Sequence, residues 1–217
     1  MQPWLDWAKQ IKAIAQAGET YGRDKYDLER YRQLDEIAHQ MFAHLSGSSV
    51  EQVQKLFIPE SGYPTPKIDL RAAVIKDGKI LLVREREDNC WTLPGGWGDV
   101  CETPKAGVVR EVLEESGYVV NNPRLVAVKD RAIHNYQPEF PFHIYKLFFL
   151  CDFVSGEATT NIEISEIEFF APDELPQLSQ GRVLVEDIEM MFDYLANPDK
   201  PIYCLLYTSD AADEHSW

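Results

Sequence analysis

The sequence predicts an all-helical N-terminal segment followed by a domain of the α/β or α+β class. Apolar residues recur at helical spacing through residues 1–58, and residues 59–67 are rich in proline and glycine, as in a linker. Beyond the linker, short strand-like apolar runs are mixed with helical patterns. Strands and helices that alternate in this way favour a mixed α and β architecture.

The N-terminal segment carries two long apolar stripes at helical spacing, then a break and a third, shorter stripe. The break at residues 47–51 contains Ser48, which is followed three residues later by Glu51, and this spacing predicts a capping box for the third helix. We interpret all three stripes as core packing and predict no catalytic residue among them.

Two local signals define the first part of the second domain. Asp77-Gly78 lies between two short apolar runs and predicts a β-hairpin with a tight turn. Residues 104–117 predict a helix, with Thr103 as the N-cap and Pro104 at the first helical position.

The later part of the chain predicts two strands, over residues 142–154 and 164–170, and a closing amphipathic helix over residues 183–195. We place the second domain at residues 68–200. The last residues show no periodicity, so we assign 201–217 to a C-terminal tail.

Charge and cysteine content narrow the class of protein. The formal net charge of −15 argues against binding to DNA or to RNA backbones. The four cysteines form neither a CxxC pair nor a zinc-site spacing, which favours free thiols in a reducing compartment. We see no signal peptide and no apolar stretch long enough to span a bilayer, so we expect a soluble cytoplasmic protein without a membrane partner.

Three glutamates, Glu111, Glu114 and Glu115, share one face of the predicted helix because they are three and four residues apart. They repel one another, and they lie towards the helix C-terminus, where the helix dipole disfavours anions. A solvated charged face is the ordinary interpretation of such a run. A hard divalent cation, Mg²⁺ or Mn²⁺, would resolve the repulsion, and the spacing favours this second interpretation.

A longer pattern surrounds these glutamates. From residue 96 it reads Gly, five residues, Glu, seven residues, Arg-Glu, an apolar residue, any residue, Glu-Glu, any residue, Gly. Its fixed positions are Gly96, Glu102, Arg110, Glu111, Glu114, Glu115 and Gly117. This pattern resembles the Nudix box of hydrolases that act on nucleoside diphosphates linked to another moiety. The one departure is Tyr118, where the family usually has an aliphatic residue, and this departure concerns packing rather than chemistry.

The resemblance extends to residues 81–97, 145–151 and 168–170, and it covers about residues 1–200. It is to a bacterial Nudix subgroup that carries a small helical N-terminal domain and whose members are similar to ADP-ribose and CDP-choline pyrophosphatases. It implies an α+β fold: a Nudix-type α/β/α sandwich around a mixed sheet, preceded by the all-helical domain.

The resemblance also implies a metal site. Glu111 and Glu115 are the expected principal ligands of Mg²⁺, with Mn²⁺ as a possible substitute. Glu114 is expected to assist, directly or through water, and the carbonyl of Gly96 to add a further ligand.

Other charged residues complete the expected catalytic set. Arg110 is expected to orient a box glutamate by a charge-assisted hydrogen bond. Glu102 either pairs with Arg110 or binds a further metal through water, unless it is an ordinary loop carboxylate. One more metal-binding carboxylate is expected from outside the box, and we favour Glu163 over Glu166; both could equally be exposed strand residues.

Substrate contacts are less specific in the sequence. The candidate phosphate clamps lie on or near strands beside the box, and they are Arg84, Arg86, Lys129 and Arg131. Candidates to stack a base are Trp97, Tyr136, Phe140 and Phe142. For each cation alone we prefer the interpretation as a surface charge, with one or two phosphate contacts expected from the group, and for each aromatic residue we prefer core or loop packing.

The predicted function is Mg²⁺-dependent hydrolysis of a diphosphate linkage by metal-activated water, with ADP-ribose or CDP-choline heading the substrate candidates. The expected partner is therefore a small nucleotide-derived substrate, and we expect the N-terminal domain either to mediate a homodimer or to cover the site. Two alternatives are a hydrolase that processes RNA ends and a nucleotide-sensing module without catalysis. The intact box and the acidic N-terminal segment disfavour the sensor.

Overall fold

The computed structural model describes residues 3–57 and 62–205 of the 217-residue chain. Its contacts divide the chain into two compact units. The first unit comprises Met1–Pro66 with Phe140–His143, and the second comprises Lys67–Glu139 with Ile144–Trp217. Residues 59–61 of the predicted linker, and the tail beyond residue 205, lie outside the described residues.

The first unit is helical, as the sequence predicts. Its helices are α1 (Pro3–Tyr21), α2 (Lys25–Ser46) and α3 (Val50–Leu56). The apolar stripes supply its core, whose buried members are Ala8, Ala38, Phe42, Ala43 and Val53. The prediction of core packing is wrong for Ile14, Ile37 and Leu56, which are 57%, 45% and 60% exposed. No helix in the described part of the chain is long and apolar enough to cross a membrane.

The capping box of α3 lies one residue later than we predicted. Ser49 Oγ accepts a hydrogen bond from the Gln52 N–H at 3.3 Å, and Gln52 Oε1 accepts one from the Ser49 N–H at 2.9 Å. The prediction of Ser48 as the cap is wrong, because the N–H of Ser48 still takes part in the hydrogen bonding that ends α2. Gly47 adopts a left-handed conformation, with φ of 66°, and the Ser48 N–H donates to the carbonyl of Ala43 at 3.1 Å.

The second unit is built on one mixed seven-stranded sheet. The strands are β1 (Lys67–Lys76), β2 (Lys79–Glu85), β3 (Trp91–Thr92), β4 (Tyr118–Asp130), β5 (Ile144–Gly156), β6 (Ile164–Phe170) and β7 (Tyr203–Leu205). Their order is β3-β2-β1-β5-β4-β7, with β6 also paired to β2. The β1–β5 and β4–β7 pairs are parallel and the other pairs are antiparallel, which confirms the mixed sheet.

Two helices cover opposite faces of the sheet, so the unit has the predicted α/β/α layering. Helix α4 (Pro104–Ser116) buries Val108 and Val112 in one apolar core. Helix α5 (Val185–Ala196) buries its apolar stripe in the other. Alternating side chains of β1 serve the two layers: Ala72 faces α4 and Ala73 faces α5.

The local signals correctly predicted the hairpin and the start of α4. Asp77 and Gly78 both have positive φ, 51° and 75°, as a tight two-residue hairpin turn requires. Thr103 caps α4 by accepting a hydrogen bond from the Ala106 N–H at 3.2 Å, with Pro104 in the first turn. Strand β6 has the predicted bounds, whereas β5 and α5 are displaced by one or two residues.

Neither β4 nor β7 was predicted from the sequence. Strand β4 escaped notice because a register shift between Asn121 and Arg124 interrupts it at Asn122-Pro123, which resembles a turn in the sequence. Strand β7 corrects part of the assignment of 201–217 to a tail: Tyr203–Leu205 pair in parallel with Ala127–Lys129 of β4. A three-residue strand is too short to show a period in the sequence.

The carboxylate of Asp187, which is fully buried, joins three parts of the second unit. It accepts hydrogen bonds from Lys129 Nζ on β4 at 2.5 Å, from the Tyr136 hydroxyl at 2.8 Å, and from the Leu184 N–H at 2.9 Å. The last bond caps α5. The Asp187 carboxylate therefore both neutralises a buried lysine and fixes the start of α5.

We expect Asp187→Ala to lower the free energy of unfolding by about 3–5 kcal/mol, because it leaves the Lys129 ammonium buried without its counter-charge. Denaturant unfolding would measure the loss. Asp193→Ala is the control, since the exposed carboxylate of Asp193 pairs with Lys200 at the surface and should contribute far less. Equal losses in the two variants would show that the buried ion pair contributes no more to the free energy of unfolding than the surface pair does.

Candidate active site

A glycine loop follows β3 and lies along β1. The Ala72 N–H donates to the carbonyl of Pro94 at 2.9 Å, and the Leu70 N–H donates to that of Gly96 at 2.8 Å. Gly95 has a φ of 143°, and a Cβ at this position would lie 2.0 Å from the carbonyl oxygen of Leu70. Only glycine can bring the backbone this close, so the loop is pressed against the sheet.

Helix α4 brings two box glutamates onto this loop. Glu115 Oε2 accepts a hydrogen bond from the Gly95 N–H at 2.9 Å. The Glu111 carboxylate lies over Gly96, where a Cβ would be 3.2 Å from Glu111 Oε1. Glu111 and Glu115, which were predicted to share a helix face, therefore lie against adjacent glycines of one loop. Their role as metal ligands remains a prediction.

Burial makes the charged form of these carboxylates unfavourable. Glu115 is only 6% exposed, and desolvation raises its pKa to about 8, although the Gly95 N–H and the charge of Arg71 oppose the rise. Desolvation also raises the pKa of Glu111, against the effect of Arg110. Carboxylate oxygens that need a nearby positive charge in order to ionise are suitable partners for a hard divalent cation.

Arg110 gathers four carboxylates. Its guanidinium contacts Glu102 at 3.0 Å and Glu114 at 2.8 Å, and it forms an ion pair with Glu111 at 2.9 Å and a longer one with Asp99 at 3.4 Å. Glu102 thus takes the first of the two roles considered for it, pairing with Arg110. These contacts raise the pKa of Arg110, led by the hydrogen bonds that it donates to Glu102.

The glutamates do not yet form a ready cation cage. Across residues 3–57 and 62–205, no three His, Cys, Asp or Glu side chains lie close enough together to hold an ion. Arg110 explains this arrangement, because it draws Glu111 and Glu114 towards itself while Glu115 bonds to the glycine loop. The repulsion predicted among the glutamates is therefore relieved in part by arginine.

Gly96 is predicted to supply a carbonyl ligand, and its carbonyl already accepts the hydrogen bond from Leu70. A carbonyl oxygen has two lone pairs, so this bond leaves one of them for another partner. Binding of a metal by Gly96 stays a prediction that depends on that second lone pair.

Arg71 is a buried cation near the site that the sequence analysis missed. Its Nε donates to Asp69 at 3.0 Å and its Nη1 to the carbonyl of Leu93 at 3.1 Å, just before the glycine loop. Its charge lowers the pKa of both Glu111 and Glu115 against the effect of burial. The available signal was the spacing of Asp69 and Arg71, which places two opposite charges on one face of an otherwise apolar strand.

All four residues predicted to clamp phosphates already form hydrogen bonds or ion pairs with other residues of the protein. Arg84 contacts Glu166 across β2 and β6 and donates to the carbonyl of Asn89 at 3.0 Å. Arg86 Nε donates to the carbonyl of Asn161 at 3.3 Å. Their roles as clamps stay predictions.

The other two candidate clamps lie deeper. Lys129 is buried against Asp187, and Arg131 is buried and donates to the carbonyl of Pro138 at 2.7 Å. A lysine that neutralises a buried carboxylate contributes to stability first. For Lys129 this arrangement supports a structural role over the predicted contact with phosphate.

The candidate aromatic residues separate into one exposed and three packed side chains. Trp97 is 49% exposed beside the glycine loop, and its backbone bridges to Asp69. Tyr136 is buried and bonded to Asp187. Phe140 and Phe142 belong to the first unit and contact each other with ring centroids 5.7 Å apart. Trp97 is therefore the candidate whose position best fits stacking on a base.

The two carboxylates proposed from outside the box differ in their surroundings. Glu166 contacts Arg84, so that partner already engages its charge. Glu163 is exposed, and its backbone is fixed in the loop before β6, where its N–H donates to Asn161 Oδ1 at 2.8 Å. This difference supports the preference for Glu163, whose metal-binding role remains a prediction.

Comparison with known proteins identifies the family. Residues 68–189 match the family described as the NUDIX domain, and residues 2–57 match the family described as a UDP-X-like, N-terminal oligomerisation domain. The first match covers more than half of the chain. The protein therefore belongs to the Nudix hydrolases, a family of enzymes that generally use divalent metals, and it carries the UDP-X-like N-terminal domain.

Three relatives show how far the similarity extends. A Bacillus subtilis (strain 168) protein, YjhB, provisionally named an ADP-ribose pyrophosphatase, is 44% identical over 91% of this chain and 94% of its own. The crystal structure of a UDP-X diphosphatase matches 93% of this chain and 98% of its own, at 33% identity and a TM-score of 0.60. An ADP-ribose pyrophosphatase from Streptococcus suis 89-1591 matches 64% of this chain and 98% of its own, at 38% identity and a TM-score of 0.57.

The raised pKa of Glu115 predicts a pH-dependent stability of the metal-free protein. Because the folded state holds this proton more tightly than the unfolded chain, stability should fall as the pH rises from about 4.5 to about 8. Glu115→Gln removes the buried charge, so the variant should be more stable than the parent at pH 8 and lose that advantage near pH 5. Denaturant unfolding in EDTA at both pH values measures the difference, and a constant difference would contradict the assignment.

Proposed function

We propose that the protein hydrolyses the diphosphate linkage of a nucleoside diphosphate joined to another moiety, with Mg²⁺ as its ion. The observation that carries the proposal is the convergence of Glu111 and buried Glu115 on the Gly95-Gly96 loop. Relatives named as ADP-ribose pyrophosphatases support ADP-ribose as the leading substrate. CDP-choline, which the resemblance found in the sequence implies, is the second candidate. The similar UDP-X diphosphatase adds UDP-linked compounds to the candidates.

The charge of each residue in the site determines its proposed role. Glu111 and Glu115 would hold the cation, and Arg110 pairs with the box carboxylates Glu102, Glu111 and Glu114 beside them. A bound divalent ion neutralises the diphosphate and lowers the pKa of the attacking water. Glu102 keeps Arg110 anchored to the loop, so that the guanidinium stays beside the glutamates. Trp97 offers an exposed ring to the base.

A sensing module without catalysis fits the molecule less well. Every charged position of the box is present, and Arg110 connects four of the acidic groups in one network. A module that only binds nucleotide does not need a buried carboxylate of raised pKa, Glu115, beside that network. The net charge of −15 also opposes long nucleic-acid backbones.

The direct test is release of products from a panel of ADP-ribose, CDP-choline, UDP-linked compounds and a 5′-capped RNA, with and without Mg²⁺. We expect turnover of the small compounds only with the ion, and a fall of about 10³-fold or more in kcat for Glu115→Gln. Glu189→Gln, an exposed glutamate of α5, is the matched control and should keep full activity. Preference for the capped RNA would favour the RNA-processing alternative, and an unchanged Glu115→Gln would contradict the site.

We also propose that the chain forms a homodimer through α1. Trp7, Ile14 and Tyr21 are seven residues apart, so they share one helix face, and they are 47%, 57% and 64% exposed. Large apolar side chains aligned and exposed on one helix are typical of an interface. The description of the matching N-terminal family as an oligomerisation domain makes a second copy of the chain the favoured occupant.

A charge on this face should separate the copies. We expect Trp7→Glu combined with Ile14→Glu to convert a dimer to a monomer, measured by light scattering coupled to size exclusion. Leu195→Glu is the control, because this residue of α5 is 49% exposed and lies in the second unit. A parent protein that is monomeric at high micromolar concentration would refute the proposal.

A further inference from the structure

The side-chain amide of Asn161 joins the loop before β6 to the helix that carries the box glutamates. Its Nδ2 donates to the main-chain carbonyl of Glu114, in the last turn of α4, at 2.8 Å. Its Oδ1 accepts hydrogen bonds from the N–H groups of Glu163, at 2.8 Å, and Ile164, at 2.7 Å. One amide thus bonds to the helix with its donor and orders its own loop with its acceptor.

The same loop is pressed against the final glycine of the box. Gly117 has a φ of 75°, and a Cβ there would lie 2.4 Å from the carbonyl oxygen of Glu157. The Thr159 N–H donates to the carbonyl of Ser116 at 3.0 Å. The loop backbone therefore closes over the C-terminal end of α4, and Gly117 is required for this close approach as well as for the end of the helix.

Arg86, which directly follows β2, holds the other side of the loop. The Arg86 N–H donates to the carbonyl of Glu163 at 2.8 Å, and Arg86 Nε donates to the carbonyl of Asn161 at 3.3 Å. Both main-chain polar groups of Glu163 are therefore bonded, the N–H to Asn161 and the carbonyl to Arg86. Its backbone is fixed relative to α4, whereas its carboxylate is exposed to solvent.

We infer that Asn161 is a positioning residue, which holds the loop so that the Glu163 carboxylate is presented to the cation bound by the glutamates of α4. The inference rests on the proposed function. Asparagine suits the position because one amide supplies both a donor and an acceptor. An aspartate would keep the acceptor but would place a negative charge against the carbonyl-rich, negative end of the helix.

The test compares Asn161→Ala and Asn161→Asp with Glu163→Gln and with the double variant Asn161→Ala/Glu163→Gln. Asn161→Asp keeps the two bonds within the loop and loses only the bond to Glu114, so it separates clamping of the helix from folding of the loop. The matched control is Asn197→Ala, because Asn197 Nδ2 makes the same kind of bond at the end of α5, to the carbonyl of Asp193 at 3.1 Å.

Two readouts are needed: Mn²⁺ affinity of the substrate-free protein, by electron paramagnetic resonance, and kcat and KM at saturating Mg²⁺. We expect both Asn161 variants to lose about tenfold or more in Mn²⁺ affinity or in kcat, with KM nearly unchanged. The double variant should be no worse than Glu163→Gln alone, because Asn161 acts through that carboxylate. Asn197→Ala should change neither readout.

Losses that add in the double variant, or that Asn197→Ala reproduces, would overturn the inference. If Asn161→Ala does not fold, Asn161→Asp decides in the same way against Glu163→Gln. Full activity of Glu163→Gln beside an inactive Glu115→Gln would also overturn it, yet leave the proposed function intact. If the parent turns over no member of the panel, the proposed function fails, and Mn²⁺ binding still shows whether Asn161 acts through Glu163.

Discussion

The site depends on the burial of two carboxylates against a backbone that only glycine can form. Glu115 bonds to the N–H of Gly95, and Glu111 lies over Gly96. Removing a carboxylate from water is costly unless a positive charge accompanies it. Arg71 supplies part of that charge to both carboxylates and Arg110 supplies part of it to Glu111, yet burial still raises the pKa of each. This residual need for positive charge is the physical basis for the proposed cation site.

The fold arranges this burial from two directions. The glycine loop is held flat on β1 by main-chain hydrogen bonds, and α4 packs over the same face of the sheet through Val108 and Val112. The helix therefore presents Glu111 and Glu115 to the loop below it. In the same last turn of the helix, Asn161 donates a hydrogen bond to the carbonyl of Glu114. The C-terminal end of the helix that carries the box glutamates is thus restrained by two neighbouring loops.

Much of this could be predicted from the sequence because the signals are local. The cap at Thr103, the hairpin at Asp77-Gly78 and the shared face of Glu111 and Glu115 each involve residues a few positions apart. The one-residue error at Ser48 shows how narrow such signals are, since the capping pattern fits both serines and the close of α2 decides between them. Agreement among local signals is what allowed the family to be recognised.

What escaped prediction depends on residues far apart in the chain. Spacing cannot show that Arg71 bonds to Leu93, that Lys129 is neutralised by Asp187, or that Asn161 reaches α4. The role of Arg110 was underestimated for the same reason. The sequence suggested a helix face on which the glutamates repel one another. In the structure Arg110 relieves part of that repulsion, because it forms ion pairs with carboxylates on the loop and on the helix.

The central claim is that the residual charge demand of Glu111 and Glu115 is met by a divalent ion. Anomalous diffraction from crystals soaked in Mn²⁺ tests it most directly. The account predicts a manganese peak bonded to oxygens of both carboxylates, at about 2.0–2.3 Å, beside the Gly95-Gly96 loop and with Glu111 released from Arg110. Glu111 still paired with Arg110, and no peak at these two side chains in crystals that bind Mn²⁺ elsewhere, would contradict it.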